Sequence, residues 1–165
     1  MGKNIVGENW REWFNEWGDR FLLFARQQAR SLAEAEDIMQ EAFVQVWTKR
    51  DRLPAIEPGL VFQQIRRTAI NRARQDMRRR VREESYAAEH VPAFCPDDGS
   101  VLSEGLEEAL SKLPLDQREV VVLKIWGEQT FESIGNSLEI SPNTAASRYR
   151  YGLEHLRRLL KGEQS

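Results

Sequence analysis

Between Trp10 and Leu160 the apolar side chains return at intervals of three and four residues in segment after segment, and no stretch alternates convincingly as a half-buried strand does. That periodicity restricts the chain to an all-α fold. In the first segment, Asn9 to Arg30, the stripe is Trp10, Trp13, Phe14, Trp17, Phe21, Leu22, Phe24 and Ala25, and Gly18 is expected to divide it into two helices. At this spacing Trp10, Trp13 and Trp17 read as core rather than as an aromatic partner site. A second helix is expected from about Ala33 to Lys49, with Ile38, Met39, Ala42, Phe43, Val46 and Trp47 on one face and Asp37, Gln40, Glu41 and Gln45 projecting elsewhere.

Pro54, Pro58 and Gly59 interrupt the period and predict a loop over about Asp51 to Pro58, because proline removes a backbone donor and restrains the residue before it. The pattern resumes near Leu60 and carries Phe62, Ile65, Ala69, Ala73 and Met77 inward. It disappears between Ser85 and Ser103, where Pro92, Pro96, Gly99 and acidic residues dominate, as in a linker. A coil of that length averages roughly 25 Å and reaches roughly 65 Å, so the flanking parts can separate widely. Helical stripes return over 106–113, 115–127, 130–138 and 142–161, and the run Val120 to Val122 sits inside one of them. The expected architecture is two small helical domains, residues 1–84 and 104–165, joined by a flexible acidic linker, 85–103.

A formal charge of -2 argues against nucleic acid only if the charge is evenly spread. It is not. From Arg66 to Arg82 the charges are eight arginines and Asp76, whereas from Glu83 to Glu108 there is no Lys or Arg. A run of arginines is often only a solvated face. Here arginine displaces lysine completely, and its planar fork suits phosphate. The loop before it, with Asp51, Arg52 and Glu57, is suited to hold an extruded base, as single-strand readers do.

The sharpest local pattern lies between Thr130 and Arg157. Phe131, Ile134 and Leu138 give a short helix, Glu139 and Ile140 a tight turn, and Ser141 followed by Pro142 an N-cap with proline at the first helical position. This is the pattern of a helix-turn-helix, whose second helix enters the major groove N-terminus first. The residues able to reach base edges are then Asn143, Thr144, Ala146, Ser147 and Arg150, with Arg148 reaching base or phosphate. Ala145, Tyr149, Leu153 and Leu156 look inward. A plain helical hairpin with a solvated arginine face is the simpler alternative.

No Ser-His-Asp spacing, glycine-rich phosphate loop or paired catalytic carboxylate appears, so no catalytic residue and no cofactor is expected. Cys95 is the only cysteine, and His90 and His155 stand far apart without ligand-like neighbours, so no metal site is expected either. A single cysteine suits a reducing compartment, and no stretch approaches the roughly 18 apolar residues of a membrane span; the expected location is the cytoplasm.

Two segments carry a family likeness. Trp13 through Trp47, including Phe21-Leu-Leu-Phe-Ala-Arg26 and Ala33-Glu-Ala-Glu-Asp-Ile-Met-Gln-Glu-Ala-Phe-Val-Gln-Val-Trp47, closely resembles the polymerase-binding domain of extracytoplasmic-function sigma factors of the bacterial sigma-70 family. Leu113-Pro-Leu-Asp-Gln-Arg-Glu-Val120 and the helix-turn-helix to Leu160 resemble the C-terminal domain of the same family. The resemblance implies a sigma factor that directs core RNA polymerase to specific promoters and initiates transcription. Asp37, Gln40, Glu41 and Gln45 would bind the coiled-coil clamp of polymerase's largest subunit. The loop from Asp51 to Gly59 with the following helix would melt and hold the minus-ten element through Arg52, Gln64, Arg67, Asn71, Arg74, Arg78, Arg79 and Arg80. Asn143, Thr144, Ala146, Ser147, Arg148 and Arg150 would read the minus-thirty-five element as duplex. Asp97, Asp98 and Glu104 would lie near the RNA exit path. An anti-sigma factor is the expected regulatory partner. Gln64 stands where many relatives carry tryptophan, and Glu139 occupies a turn position usually held by glycine. The rival readings are a stand-alone helix-turn-helix regulator, which needs no polymerase, and a helical adaptor that binds only proteins.

Overall fold

The computed structural model describes residues 9–83 and 102–162. Among them the regular structure is helical, in the order α1 (Trp10–Gln28), α2 (Leu32–Thr48), a 3-10 turn (Arg50–Arg52), α3 (Pro58–Arg82), α4 (Glu104–Ser111), α5 (Leu115–Ile125), α6 (Phe131–Leu138) and α7 (Pro142–Leu160). The all-α expectation is met. The expected linker, together with Cys95, Asp97 and Asp98, falls almost wholly outside the described residues. Glu104 lies instead at the start of α4.

The starts of four helices are written in single side chains. The hydroxyls of Ser31, Ser103, Thr130 and Ser141 accept hydrogen bonds from the backbone N–H groups of Glu34, Leu106, Ser133 and Thr144, at 3.1, 3.4, 3.1 and 3.1 Å. Each satisfies a donor that the first helical turn leaves orphaned.

α1, α2 and α3 pack on one another around an aromatic core. Phe21 and Phe24 of α1 each meet Phe62 of α3 in a T-shaped arrangement, with ring centroids 5.0 and 5.6 Å apart. Trp13 and Trp17 are buried beside Phe21, and Trp10 packs 5.4 Å from Trp47 at the rim, so the tryptophans serve the core. Gly18 does not divide the first helix as expected. A mid-helix glycine costs only about 1 kcal/mol, and the apolar faces on either side of it remain in register with one core. Met77 is not inward either but 55% exposed, because α3 runs on past the last residue it buries, Ala69. Gly59 belongs to the first turn of α3, which begins at Pro58 rather than near Leu60.

α5, α6 and α7 form the second core through Val120 to Leu123, Ile134, Leu138, Ala145 and Leu156, with α4 against α7. The turn between α6 and α7 needs a tight approach at Gly135, where a Cβ would stand 2.6 Å from the carbonyl oxygen of Ile140. Glu139 ends α6 in the left-handed conformation, φ 58° and ψ 44°, the backbone state that explains why glycine suits this position.

The two halves are packed together, α1 against α5 and α3 against α6. Much of what joins them is polar. Arg26 meets Glu107 at 3.0 Å with both side chains nearly buried, and Arg20 meets Glu128 at 3.1 Å. Glu119, also buried, accepts from Arg66 Nε at 3.4 Å and from the Gln28 amide. The Gln63 amide donates to the Asn136 carbonyl at 3.3 Å, and Arg66 Nη1 to the Leu138 carbonyl at 3.4 Å. Gly59 lies close to the other half, where a Cβ would stand 2.9 Å from Ser133 Oγ and 3.0 Å from Gln129 Oε1 and those side chains would have to shift.

Candidate nucleic-acid interface

α7 carries the first set of candidate residues. Ser141 caps it, Pro142 opens it, and Asn143 and Arg150 are exposed on its N-terminal half, where Arg150 sits 5.2 Å over the Tyr151 ring. Thr144, Ala146, Ser147 and Arg148 are half-buried beside them, with Arg148 Nε 3.8 Å from Asp116. Ala145 and Leu156 are buried and Tyr149 packs 5.7 Å from Phe131, which fixes the helix on α5 and α6 and turns Asn143 and Arg150 outward. Leu153 is half-buried.

α3 presents the second set. Arg67, Asn71, Arg74, Arg78 and Arg79 are exposed, and Arg80 is half-buried. Arg79 lies 3.8 Å from Asp76 on the same helix. Arg52 is exposed in the 3-10 turn that leads into the loop, and buried Ile56 anchors that loop to the core. Gln64 is half-buried and donates to Gln45 of α2 and, at 3.4 Å, to Thr68, so its amide already has partners.

The third set divides. Asp37 and Gln40 are exposed on α2. Glu41 instead takes a two-pronged hydrogen bond from Arg72 of α3, 2.9 Å from Nε and 2.7 Å from Nη2, and Gln45 accepts from Gln64. The polar face of α2 therefore continues into the basic face of α3 rather than standing apart from it.

Residues that sequence reasoning missed lie between the halves: Arg26, Gln28, Gln63, Glu107 and Glu119. Their signal was available, because Glu119 directly precedes the apolar run from Val120 to Leu123, and a charged group in such a place needs a partner. Beside it Arg118 is also buried and donates to the carbonyls of Ser111 and Leu113 at 3.4 and 3.5 Å. Burial pushes its guanidinium below the ordinary value, while the adjacent Glu119 carboxylate pulls the other way.

Among the described residues no group of His, Cys, Asp and Glu is gathered to hold a metal ion, and no helix is long and apolar enough to cross a membrane.

Fold and site together define a helix-turn-helix protein with a second, arginine-rich helical surface. The family model for sigma-70, region 4 matches residues 103–156. The RNA polymerase sigma factor CarQ of Myxococcus xanthus is 37% identical over 143 residues, which cover 83% of this chain and 80% of that protein. The ECF RNA polymerase sigma factor SigE of Mycolicibacterium smegmatis is 28% identical over 173 residues, covering 99% of this chain and 66% of that protein. In fold the chain is similar to the sigma factor RpoE from Bartonella quintana, solved in complex with the anti-sigma factor NepR, with a TM-score of 0.71 and 22% identity over 96% of this chain and 100% of that one. The chain belongs to the extracytoplasmic-function sigma factors of the sigma-70 family. Of the readings open from the sequence, the sigma factor is supported over the stand-alone regulator.

Proposed function

We propose that this sigma factor directs core RNA polymerase to specific promoters through two DNA contacts and one polymerase contact, in the cytoplasm and with no catalysis of its own. The observation that carries the reading is α7: a capped helix with Asn143 and Arg150 exposed on its N-terminal half, within the segment that matches sigma-70, region 4. Asn143 and Arg150 have the paired donors that suit adenine and guanine edges, and Thr144, Ala146, Ser147 and Arg148 complete the surface for the minus-thirty-five element.

Arg52, Arg67, Asn71, Arg74, Arg78, Arg79 and Arg80 take the minus-ten element, where guanidinium groups hold a melted strand by its phosphates. Gln64 acts at that site through Gln45. Asp37 and Gln40 contact the polymerase clamp directly, and Glu41 and Gln45 couple that contact to α3. Residues 1–84 act as the polymerase and minus-ten domain and 104–165 as the minus-thirty-five domain, with 85–103 as tether. Because RpoE was solved with an anti-sigma factor, an anti-sigma factor is the proposed regulator here as well.

In vitro transcription with purified core polymerase over a random promoter library tests this directly. Addition of the protein should yield transcripts sharing two upstream sequence elements. An unchanged transcript pool, with operator binding in the absence of polymerase, would return the chain to the stand-alone regulator.

A further inference from the structure

We propose that the cleft between α3 and α6 is a binding site for a phosphate-class anion, completed only when the two halves meet. Arg66, Arg67, Asn71 and Arg74 of α3 line it on one side and Ser137 and Glu139 on the other, around a volume of about 200 Å³. Arg67 and Arg74 are exposed and form no ion pair with another described residue. Arg66 spends Nε on Glu119 and Nη1 on the Leu138 carbonyl, which leaves Nη2 for a ligand. Ser137 is 5% exposed, and its hydroxyl has no partner among the described residues. That hydroxyl borders the cleft and is free to donate to an acceptor oxygen bound there.

Charge and size narrow the ligand. Glu119 already neutralises Arg66, so Arg67 and Arg74 against the one Glu139 carboxylate leave one net positive charge, which favours an anion such as a phosphate group. The volume is below the roughly 300–1,000 Å³ of sites that enclose drug-sized molecules. A phosphoryl group with a few waters fits, and any nucleoside attached to it stays outside. Free phosphate and the phosphate of a nucleotide share this chemistry.

Because the donors come from both halves, the anion stabilises their packed arrangement by mass action. It also occupies Arg67, Asn71 and Arg74; that it thereby competes with promoter DNA rests on the minus-ten assignment above, whereas the binding itself does not.

The test is calorimetric titration of the full chain with inorganic phosphate, AMP and adenosine at an ionic strength fixed with chloride. Saturable binding of one phosphate is expected, and none of adenosine. Tighter binding of AMP than of phosphate identifies a nucleotide as the source; equal binding identifies free phosphate. Arg67→Ala and Arg74→Ala should each weaken binding about tenfold. Ser137→Ala should weaken it about threefold, and Gly59→Val, whose side chain crowds Ser133 and Gln129 where α3 meets α6, should weaken it as well. Phosphate binding unchanged in both Gly59→Val and Ser137→Ala would assign the anion to the arginine helix alone and overturn the cleft, as would the absence of saturable binding. Transcription assays on the same preparations separate the two ideas: promoter-specific transcription without phosphate binding overturns only the cleft.

Discussion

Arg66 of α3 and Glu119 of α5, 53 residues apart in the chain, form an ion pair of 3.4 Å whose carboxylate is almost fully buried. The Gln28 amide donates to the same oxygen, so one acidic group gathers α1, α3 and α5. A buried carboxylate with its donors in place costs little, but with a donor removed it becomes a liability. This makes the pair a determinant of how the halves sit, beyond whatever energy it contributes.

Arg66→Ala is expected to destabilise the protein by about 1–3 kcal/mol, since the buried Glu119 carboxylate then keeps only the Gln28 amide as a donor. Combination with Glu119→Gln should recover part of that loss. Denaturant unfolding of the two single variants and the double variant measures the coupling, and strict additivity would show that the pair does not act across the interface.

Glu139 occupies left-handed backbone at φ 58°, which costs a residue with a Cβ roughly 1–2 kcal/mol. Glu139→Gly should therefore raise Tm by about 2–4 °C in a chain of this size, even though glycine enlarges the entropy of the unfolded state. A calorimetric scan showing a lower Tm would mean that the carboxylate contributes more than the backbone strain costs.

Asp37→Lys should abolish retention of the protein on immobilised core polymerase while leaving its melting curve unchanged, because Asp37 is exposed on α2. Glu41→Lys should lose retention and also stability, by about 0.5–1 kcal/mol, as it puts a like charge against Arg72. Retention of Asp37→Lys at the level of the parent protein would remove α2 from the polymerase interface.

Asn143→Ala and Arg150→Ala should each cost about 1–3 kcal/mol on the preferred upstream sequence and little on unrelated duplex. Competition binding at fixed salt reads this out. Equal weakening on every sequence would demote the two side chains to phosphate contacts.

Much of the fold was legible because helix formation here rests on local rules. The apolar period gave the helices, and Ser141 with Pro142 placed the start of α7 to the residue. Gly18 and Met77 misled for one reason: periodicity records which face is apolar, not how far the neighbouring helices extend. Gly18 has core on both sides of it, so the helix continues, whereas Met77 lies beyond the last neighbour and stays outside.

The exposed groups of the candidate site, Asn143, Arg150, Arg67, Arg74 and Asp37, could be chosen from residue type and helical phase alone. The commitments of the others could not. Glu41 faces Arg72, Gln45 faces Gln64, and Glu119 faces Arg66 and Gln28, all pairings between different helices.

By itself the sequence determined the helices, their caps, the helix-turn-helix and the uneven distribution of charge, because each depends on residues within a turn or two of one another. Only the tertiary structure decided that α3 lies on α6 and α1 on α5, and so that residues from the two halves of the chain share one cleft. The physical reason is that this contact is polar and specific: ion pairs, amide hydrogen bonds and the bare Cα of Gly59 fit one arrangement of two surfaces, and no periodic pattern encodes that fit.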